Sequence, residues 1–472
     1  MVEKYMTSRG ADLDLLFRPR SLAVIGVSQD FSKGGGFLWS RVQEHGFQGK
    51  KYPVSRSCDQ IDGCKCYRSV SDIEEPIDLA IAAVPAGAME SVIADCARKS
   101  IRFTVIHAAG FAESGEKGRE LQERLFKIAR TGGMRLVGPN CMGVFCPDVS
   151  LNTIMEVDGG EFKPGGISFS GQSGWAAENF VLSGTARGLR LNTVISSGNQ
   201  ADLDLFDYVS YFGSDPKTRV ICVYTEGIAR GREFLDLALE VGSEKPIIIW
   251  RSGFSRAGAR AVISHTGSIA GNREIWQGAA RSAGIIIAEG LEELLDMAAA
   301  FSSPVLPKGR KVGIISEAGG GGISAADSCE NQGLQVRPFS PKLRETLKGM
   351  LQKYLPPFSG TSNPLDLVWL PKEVAMTTSI KCIELVASEV DSVIFMSYLP
   401  FLLPDLIPKY IEAICRIRDD LSLPIFVVPP FGIPGAAAIK QYTSAGLPSF
   451  SSFERVAKAI SVTYGYQEWV SS

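Results

Sequence analysis

The sequence predicts an α/β protein of three tandem domains, each with a doubly wound parallel sheet. Short apolar, β-branched runs alternate with helix-like stretches along the chain, which is the pattern of parallel strands with helices on both faces. In addition, one local pattern occurs three times, at residues 21–28, 165–180 and 311–327: an apolar run ends in Gly or Ser and passes into a helix. The copies are about one α/β domain length apart, so each is expected to open one domain.

The remaining elements follow in order. Further strands of the first domain are predicted at residues 50–54, 78–85, 103–110 and 134–140, with helices at 87–99 and 116–131. The second domain continues with the strands NTVIS, RVICVY and PIIIW, and the third with DSVIFMSYL and LPIFVVPP. Pro and polar residues interrupt the alternation near 146–153 and 302–311, which predicts domains at 1–148, 149–306 and 307–472.

Composition narrows the possible partners. Lys and Arg total 49 against 51 Asp and Glu, so the net charge of −2 gives no electrostatic reason to expect nucleic acid or an anionic membrane. The N-terminus lacks the apolar region of a signal peptide, and no run approaches about 18 apolar residues, so a cytoplasmic protein is expected. Among ten cysteines, Cys58, Cys64 and Cys66 form no CxxC pair, which favours reduced thiols over a zinc site.

Three Gly-rich loops are candidates for phosphate binding. In the first, GVSQDFSKGGG (26–36), Gly26, Ser28 and Lys33 can present N–H groups and an ammonium to phosphates, although the loop lacks the GxGxxG fingerprint. The others begin helices, at Gln172, Ser173 and Gly174 and at Gly319, Gly320, Gly321 and Gly322, where unshielded N–H groups attract anions. Taken alone, each is also compatible with an ordinary turn.

His265 is one of three histidines and lies in a Gly- and Ala-rich loop after the strand IIIW. Glu226 comes directly after the strand VICVYT, at the end of a parallel strand where ligands gather. A carboxylate bonded to one imidazole nitrogen would leave the other free as a nucleophile. From the residues alone, a structural role for this histidine stays open.

The ordered set of motifs resembles the alpha subunit of the ADP-forming (NDP-forming) acyl-CoA synthetases, in the succinyl-CoA synthetase superfamily. The resemblance covers nearly the whole chain, and GPNCMG together with SHTGS is its most specific part. The other matching stretches are AVIGVS, GFQGKKYPV, DLAIAAVPA, AAGFAESGEKG, SGQSG, SSGNQADLD, YTEGI and SNPLDL. The resemblance implies a Rossmann-like CoA-binding first domain, followed by two flavodoxin-like domains.

The resemblance also implies roles for individual residues. His265 would carry the phosphoryl group, with Glu226 as its orienting partner. The helix starts at 172–174 and 319–322 would cradle the phosphate, and no metal site is expected on the chain. CoA contacts would come from Gly26, Ser28, Lys33, Val84, Pro85, Ala109, Gly110 and, near the thiol, Asn140. The chain departs from the family pattern at Phe31, Ser55 and Gly171, which puts a CoA hydrogen bond by Ser55 in doubt.

The reaction implied is reversible formation of an acyl-CoA thioester coupled to ATP and ADP through an acyl phosphate. No segment resembles an ATP-grasp domain, so ATP or ADP and Mg²⁺ are expected on a beta subunit, in an α2β2 assembly. A CoA-binding regulatory module and a nucleotide-linked oxidoreductase stay as alternatives, the latter weakened by the missing fingerprint. Because Trp369 follows the NPLDL motif and Phe358 precedes it, the acid is expected to be apolar or aromatic. The alternative that Trp369 packs in the core or at the subunit interface stays open.

Overall fold

The structure, a computed structural model, describes residues 13–32, 34–154, 162–266, 272–356, 359–368, 370–396, 398 and 404–472. They form two compact units. The first consists of Met1–Leu182 and Arg190–Leu291, and the second of Ser183–Leu189 and Glu292–Ser472. Three larger sheets and one short hairpin are present among the described residues, and the first unit contains two of these sheets.

The first sheet is entirely parallel, in the order β2-β1-β5-β6-β7. Its strands are buried along most of their length, because helices cover both faces. The strands are β1 (Ser21–Ile25), β2 (Lys50–Val54), β5 (Leu79–Ala82), β6 (Phe103–Ile106) and β7 (Arg135–Val137), with the hairpin β3 (Gln60–Ile61) and β4 (Cys64–Lys65). The helices are α1 (Asp14–Phe17), α2 (Gly34–Glu44), α3 (Ala86–Arg98) and α4 (Glu116–Thr131).

The second sheet lies in the same unit, in the order β14-β13-β12-β10-β11-β8-β9. Five strands are parallel, and β8 and β9 extend the sheet in antiparallel fashion. The strands are β8 (Gly143–Cys146), β9 (Leu151–Asn152), β10 (Ile167–Gly171), β11 (Leu191–Ser196), β12 (Val220–Thr225), β13 (Ile247–Arg251) and β14 (Ile286–Ala288). The helices are α5 (Gly174–Ala186), α6 (Leu205–Ser214), α7 (Gly231–Gly242), α8 (Arg256–Thr266) and α9 (Arg273–Ser282).

The first two sheets share a hydrophobic core. Phe17 of α1 packs on Tyr211 of α6 with ring centroids 4.9 Å apart, and both belong to one cluster of buried residues that includes strands of both sheets. The Arg18 guanidinium donates to the Tyr211 hydroxyl at 2.7 Å. The two sheets are therefore parts of one packed body.

The second unit contains the third sheet, which is parallel in the order β16-β15-β17-β18. Its strands are β15 (Val312–Ser316), β16 (Leu365–Asp366), β17 (Ser392–Met396) and β18 (Ile425–Val427). The helices are α10 (Leu291–Phe301), α11 (Gly319–Asn331), α12 (Pro341–Leu351), α13 (Lys372–Val386), α14 (Ile407–Leu421), α15 (Ile433–Ser444) and α16 (Phe453–Ser471).

In all three sheets, the first parallel strand in chain order lies between the second and the third parallel strand. This is the doubly wound order in which a ligand crevice opens beyond the carboxyl ends of the first and third strands. The predicted α/β fold class is thus confirmed. The domain ranges 1–148, 149–306 and 307–472 stay a prediction, and β8, which the first range includes, pairs with the second sheet.

Among the described residues, none of the helices combines the length and apolar character that crossing a membrane requires. Cys58, Cys64 and Cys66 are free thiols. Neither these cysteines nor any other described His, Cys, Asp or Glu residues form a group of three or more that could hold a metal ion.

Candidate active site

A cavity of about 300 Å³ opens at the crevice of the first sheet, between the ends of β1 and β5. Four of the residues expected to contact CoA line it: Gly26, Ser28, Val84 and Pro85. Its volume lies at the lower end of the range for small-molecule sites. Lys33, the expected phosphate contact in the same loop, lies outside the described residues.

Gly26 is required by the shape of this loop. Its φ of +93° is one that other residues rarely adopt, and a Cβ would lie 2.8 Å from the carbonyl oxygen of Ala83. Gly35 and Gly36, at the start of α2, have a packing role, because a Cβ there would lie 2.3 Å from the Gly26 oxygen and 2.2 Å from the Asp30 oxygen. The Gly-rich run therefore lets α2 approach the loop closely.

The sequence analysis missed the cationic side of this cavity. Arg56 and Arg68, which follow β2 and β4, both line it. Arg68 is committed to Asp59 and to backbone carbonyls, including that of Arg56 at 2.8 Å. The Arg56 guanidinium makes no hydrogen bond or ion pair with the described residues, so it can receive a phosphate. The position of Arg56 two residues after the end of β2 is the sequence feature that could have identified it.

Ala109, Gly110 and Asn140 form a second group beside this cavity. The Asn140 N–H donates to the Ala108 carbonyl at 2.9 Å, which joins the loops after β6 and β7. Gly110 lies against the start of α3, because a Cβ added to Gly110 would be 3.1 Å from the Cβ of Ala86. None of these three expected CoA contacts is among the lining residues of the cavity itself.

The Glu113 side chain holds the loop that carries Gly110. Its carboxylate accepts from the Gly110 and Phe111 N–H groups at 2.6 and 3.1 Å, and from the side chain of Asn199 in the loop after β11. Burial raises the pKa of Glu113, but these hydrogen bonds outweigh it and leave the pKa below its ordinary value. One charged side chain thus connects the loops of the first and second sheets.

The GPNCMG loop also contacts the start of α5. The Met142 N–H donates to Ser196 Oγ at 3.1 Å, and a Cβ on Gly174 would lie 2.8 Å from Met142 Sδ. Asn140, which is expected near the CoA thiol, is therefore two residues before Met142. The Met142 side chain contacts the start of α5, the helix expected to bind phosphate.

Gln172 and Glu226 meet at the crevice of the second sheet, beyond β10 and β12. Gln172 Oε1 accepts from Glu226 N–H at 2.6 Å, from Thr225 Oγ1 at 3.0 Å and from Gly227 N–H at 3.3 Å. The Gln172 side chain therefore holds the loop that carries Glu226, a role that the sequence analysis missed. Ser173 Oγ accepts from the Ala176 N–H at 3.4 Å and caps α5.

The Glu226 carboxylate is buried, with 9% of the residue exposed. The Tyr224 hydroxyl donates to its Oε1 at 3.4 Å. Burial raises the pKa of Tyr224, so this phenol stays protonated and able to donate. A carboxylate in such a setting is suited to accept a proton or to orient an N–H group.

His265 lies in α8, so the predicted loop at this position is wrong. Residues 256–266 are rich in Ala and Arg, which favour helix, and Ser255 Oγ caps the helix by accepting from the Gly258 N–H at 3.0 Å. The side chain of His265 and residues 267–271 lie outside the described part of the structure. Helix α8 follows β13, the neighbour of β12, so His265 and Glu226 belong to adjacent strand–helix segments of one sheet.

In the second unit, Gly319, Gly320, Gly321 and Gly322 form the first turn of α11. Ala318, at the N-cap, offers no side-chain acceptor, so the first N–H groups are not capped by it. A Cβ on Gly321 would lie 2.6 Å from Met396 Sδ, whereas Gly320 faces open space. This is a helix start of the expected kind. Phe358 and Trp369 lie outside the described residues.

Comparisons with known proteins agree with these features. A CoA binding domain model matches residues 20–147, and a model of the succinyl-CoA ligase like flavodoxin domain matches residues 164–301. The chain is 34% identical to acetate–CoA ligase (ADP-forming) II subunit alpha of Pyrococcus furiosus, over 95% of this chain and 96% of that protein.

Two further relatives extend this result. The chain is 36% identical to acetate–CoA ligase (ADP-forming) of Methanocaldococcus jannaschii, over 77% of this chain and 50% of that protein. The solved structure of acetyl-coenzyme A synthetase 1 of Ca. Korarchaeum cryptofilum, in complex with phosphate and ADP, aligns with a TM-score of 0.83 at 31% identity and covers 97% of both chains. The chain therefore belongs to the alpha subunits of the ADP-forming acyl-CoA synthetases, acid–thiol ligases of the succinyl-CoA synthetase superfamily.

Proposed function

We propose that this chain is the alpha subunit of a ligase that reversibly couples an acyl-CoA thioester to ATP and ADP through an acyl phosphate and a phosphohistidine at His265. The observation that carries the proposal is the crevice of the second sheet. There a buried carboxylate, Glu226, is held at a strand end, and the neighbouring strand leads into the helix that carries His265.

Each step balances. Toward thioester cleavage, inorganic phosphate attacks the acyl carbonyl, a C–O bond forms and the C–S bond breaks, releasing the CoA thiol. An imidazole nitrogen of His265 then attacks the phosphorus of the acyl phosphate, and the P–O bond to the carboxylate breaks. The phosphoryl group finally passes to ADP. Glu226 would hold the N–H of the imidazole, so that the opposite nitrogen is the nucleophile.

CoA would lie in the cavity of the first sheet. The close approach allowed by Gly26 and the available guanidinium of Arg56 both fit a ligand with phosphate groups. At the start of α5, the N–H groups of Ser173 and Gly174 would be offered to the phosphoryl group, while the Gln172 N–H already donates to the Tyr224 carbonyl at 3.3 Å. In the second unit, Gly319 to Gly321 at the start of α11 are the corresponding candidates, and the Gly322 N–H donates to the Ala318 carbonyl at 3.1 Å.

The nucleotide and Mg²⁺ would bind to an ATP-grasp beta subunit, with two copies of each subunit in the assembly. The name of the Pyrococcus furiosus relative, a subunit alpha, supports a separate partner. The relative from Methanocaldococcus jannaschii supports it too, since this chain spans half of that protein's length. On this proposal the isolated chain binds CoA but makes no acyl-CoA from ATP.

Phosphate labelling tests the proposal. The chain is incubated with its partner, Mg²⁺ and ATP labelled in the γ-phosphate, and the label is expected to be acid-labile and base-stable. His265→Ala is expected to abolish the label. His45→Ala is the matched control, because His45 lies 2.6 Å from the Asn152 side chain and has no place in the mechanism. A label retained in His265→Ala would refute the assignment, and acyl-CoA synthesis by the chain alone would refute the separate nucleotide site.

A further inference from the structure

Trp175, in the first turn of α5, is unusual in being 59% exposed, since tryptophan side chains are highly buried on average. It directly follows Gly174, at the end of the SGQSG motif. Its ring lies against that of Trp250 on β13, with centroids 6.2 Å apart and planes at 69°. Trp250 is only partly buried, so these two indoles present an apolar surface to solvent beside the candidate phosphate-binding helix.

The aromatic contacts continue to Glu226. Tyr224 is the register partner of Trp250 in the neighbouring strand, and their ring centroids are 4.6 Å apart at an interplanar angle of 68°. The Tyr224 hydroxyl in turn donates to Glu226 Oε1 at 3.4 Å. Edge-to-face pairs of this kind hold aromatic rings in fixed orientations. The exposed ring of Trp175 is thus anchored through two further rings to the buried carboxylate.

The surface formed by Trp175 and Trp250 is also close to the residues expected at the thiol end of CoA. Gly174 is in contact with Met142, two residues after Asn140. A path of neighbouring residues in the first unit therefore runs from Asn140 and Met142 to Gly174 and Trp175, and from there through the rings of Trp250 and Tyr224 to the buried Glu226. In the proposed reaction, the acyl group has to lie between the CoA sulfur and the phosphoryl carrier, which is the interval that this path spans.

We propose that Trp175, supported by Trp250 and Tyr224, binds the acyl group, and that the preferred acid carries an aromatic ring. This inference rests on the proposed function. A ring laid on an indole face buries apolar surface on both partners, whereas the single methyl group of acetate buries little. The N–H groups at the start of α5 would receive the negative charge of the carboxylate or acyl phosphate.

The test compares phenylacetate with acetate in the complex with the partner subunit. In Trp175→Ala, kcat/KM for phenylacetate is expected to fall about 10-fold or more relative to kcat/KM for acetate, and Trp175→Phe should restore much of that ratio. Trp469→Ala is the matched control, because Trp469 lies in the last helix, in the other unit, where its ring is tilted against that of Tyr466. It is expected to leave the ratio unchanged.

Three results would overturn the inference while leaving the proposed function intact. The first is an unchanged ratio in Trp175→Ala. The second is a wild-type complex that uses acetate but not phenylacetate. The third is loss of assembly with the partner in Trp175→Ala, measured as the mass of the complex in solution, because Trp175 would then be a subunit contact.

A binding measurement tests the inference on its own if the wild-type complex forms no thioester from either acid. Phenylacetate is titrated into the isolated chain while tryptophan fluorescence is recorded. Saturable quenching that is present in the wild type and lost in Trp175→Ala would support an aryl-binding surface at Trp175. Quenching that is absent, or equal in both proteins, would overturn it.

Discussion

Replacing Gln172 by alanine tests whether this side chain positions Glu226. Its Oε1 accepts from the Glu226 N–H at 2.6 Å. It also lies 3.0 Å from Thr225 Oγ1 and 3.3 Å from the Gly227 nitrogen, but these two donors make contacts with each other at 2.6 and 3.2 Å, so they are shared. At about 1 kcal/mol for a full hydrogen bond, Gln172→Ala should lower the free energy of unfolding of the first unit by roughly 1 to 2 kcal/mol. Because a displacement of about 1 Å in a reacting group costs on the order of 10²-fold in rate, turnover should fall by a similar factor.

Gln172→Glu separates the structural part of this effect from the electrostatic part. A glutamate keeps an acceptor oxygen, so most of the stability should remain. It also adds a negative charge beside the Glu226 carboxylate, and repulsion between the two like charges opposes the position that Gln172 gives to Glu226. Turnover should therefore fall in Gln172→Glu although the melting temperature changes little.

Calorimetry of the chain and acyl-CoA formation with the partner subunit measure the two quantities. Calorimetry is preferred to a single-probe melt because two units need not unfold together. Thr225→Val, which leaves the bond from the Glu226 N–H to Gln172 in place, is the graded control and should lose less of both. Wild-type melting together with wild-type turnover in Gln172→Ala would refute the positioning role.

Two further predictions concern Glu226 and Glu113. Glu226→Gln should keep the fold, seen as an unchanged circular dichroism spectrum, but reduce turnover about 10²-fold or more; near wild-type kinetics would remove Glu226 from the mechanism. Although burial raises the pKa of Glu113, its hydrogen bonds hold that pKa below its ordinary value, so its stabilising contribution is complete above the pKa of the unfolded chain and is lost as the pH falls through the lower, folded-state pKa. Melting temperatures of the wild type and Glu113→Gln should therefore differ at neutral pH and converge in acid, and a difference that persists undiminished at about pH 3 would contradict this.

The sequence predicted best what depends on local patterns. Helix α4 was predicted at 116–131 and observed at Glu116–Thr131, because it carries a strongly amphipathic repeat. The parallel strands were recognised from buried, β-branched runs such as Val220–Thr225. Their ends also indicated where Gly26 and Glu226 would lie.

The missed features depend on contacts between distant parts of the chain. Strand β8 exists because it pairs with β11, whose partner residues lie about fifty positions later, and its own residues are followed by Pro147 in a turn. The contact between Trp175 and Trp250 likewise arises only from the order of the strands. Gln172 was placed correctly at a strand end, but a sequence pattern does not show which donors a side-chain oxygen accepts.

The link between the first two sheets limits how this protein can be recombined with its relatives. Only residues 138–142 separate β7 from β8, and this connector is pinned by the N–H groups of Ala201 and Asn199, which donate to Gly138 and Pro139 at 3.0 and 2.9 Å. A chimera with its crossover here would have to recreate these bonds, the Glu113 link and the shared core with foreign side chains. The cavity of the first sheet and the crevice of the second should therefore be exchanged together. Replacing only one of the two sheets by that of a relative is expected to destabilise the fold.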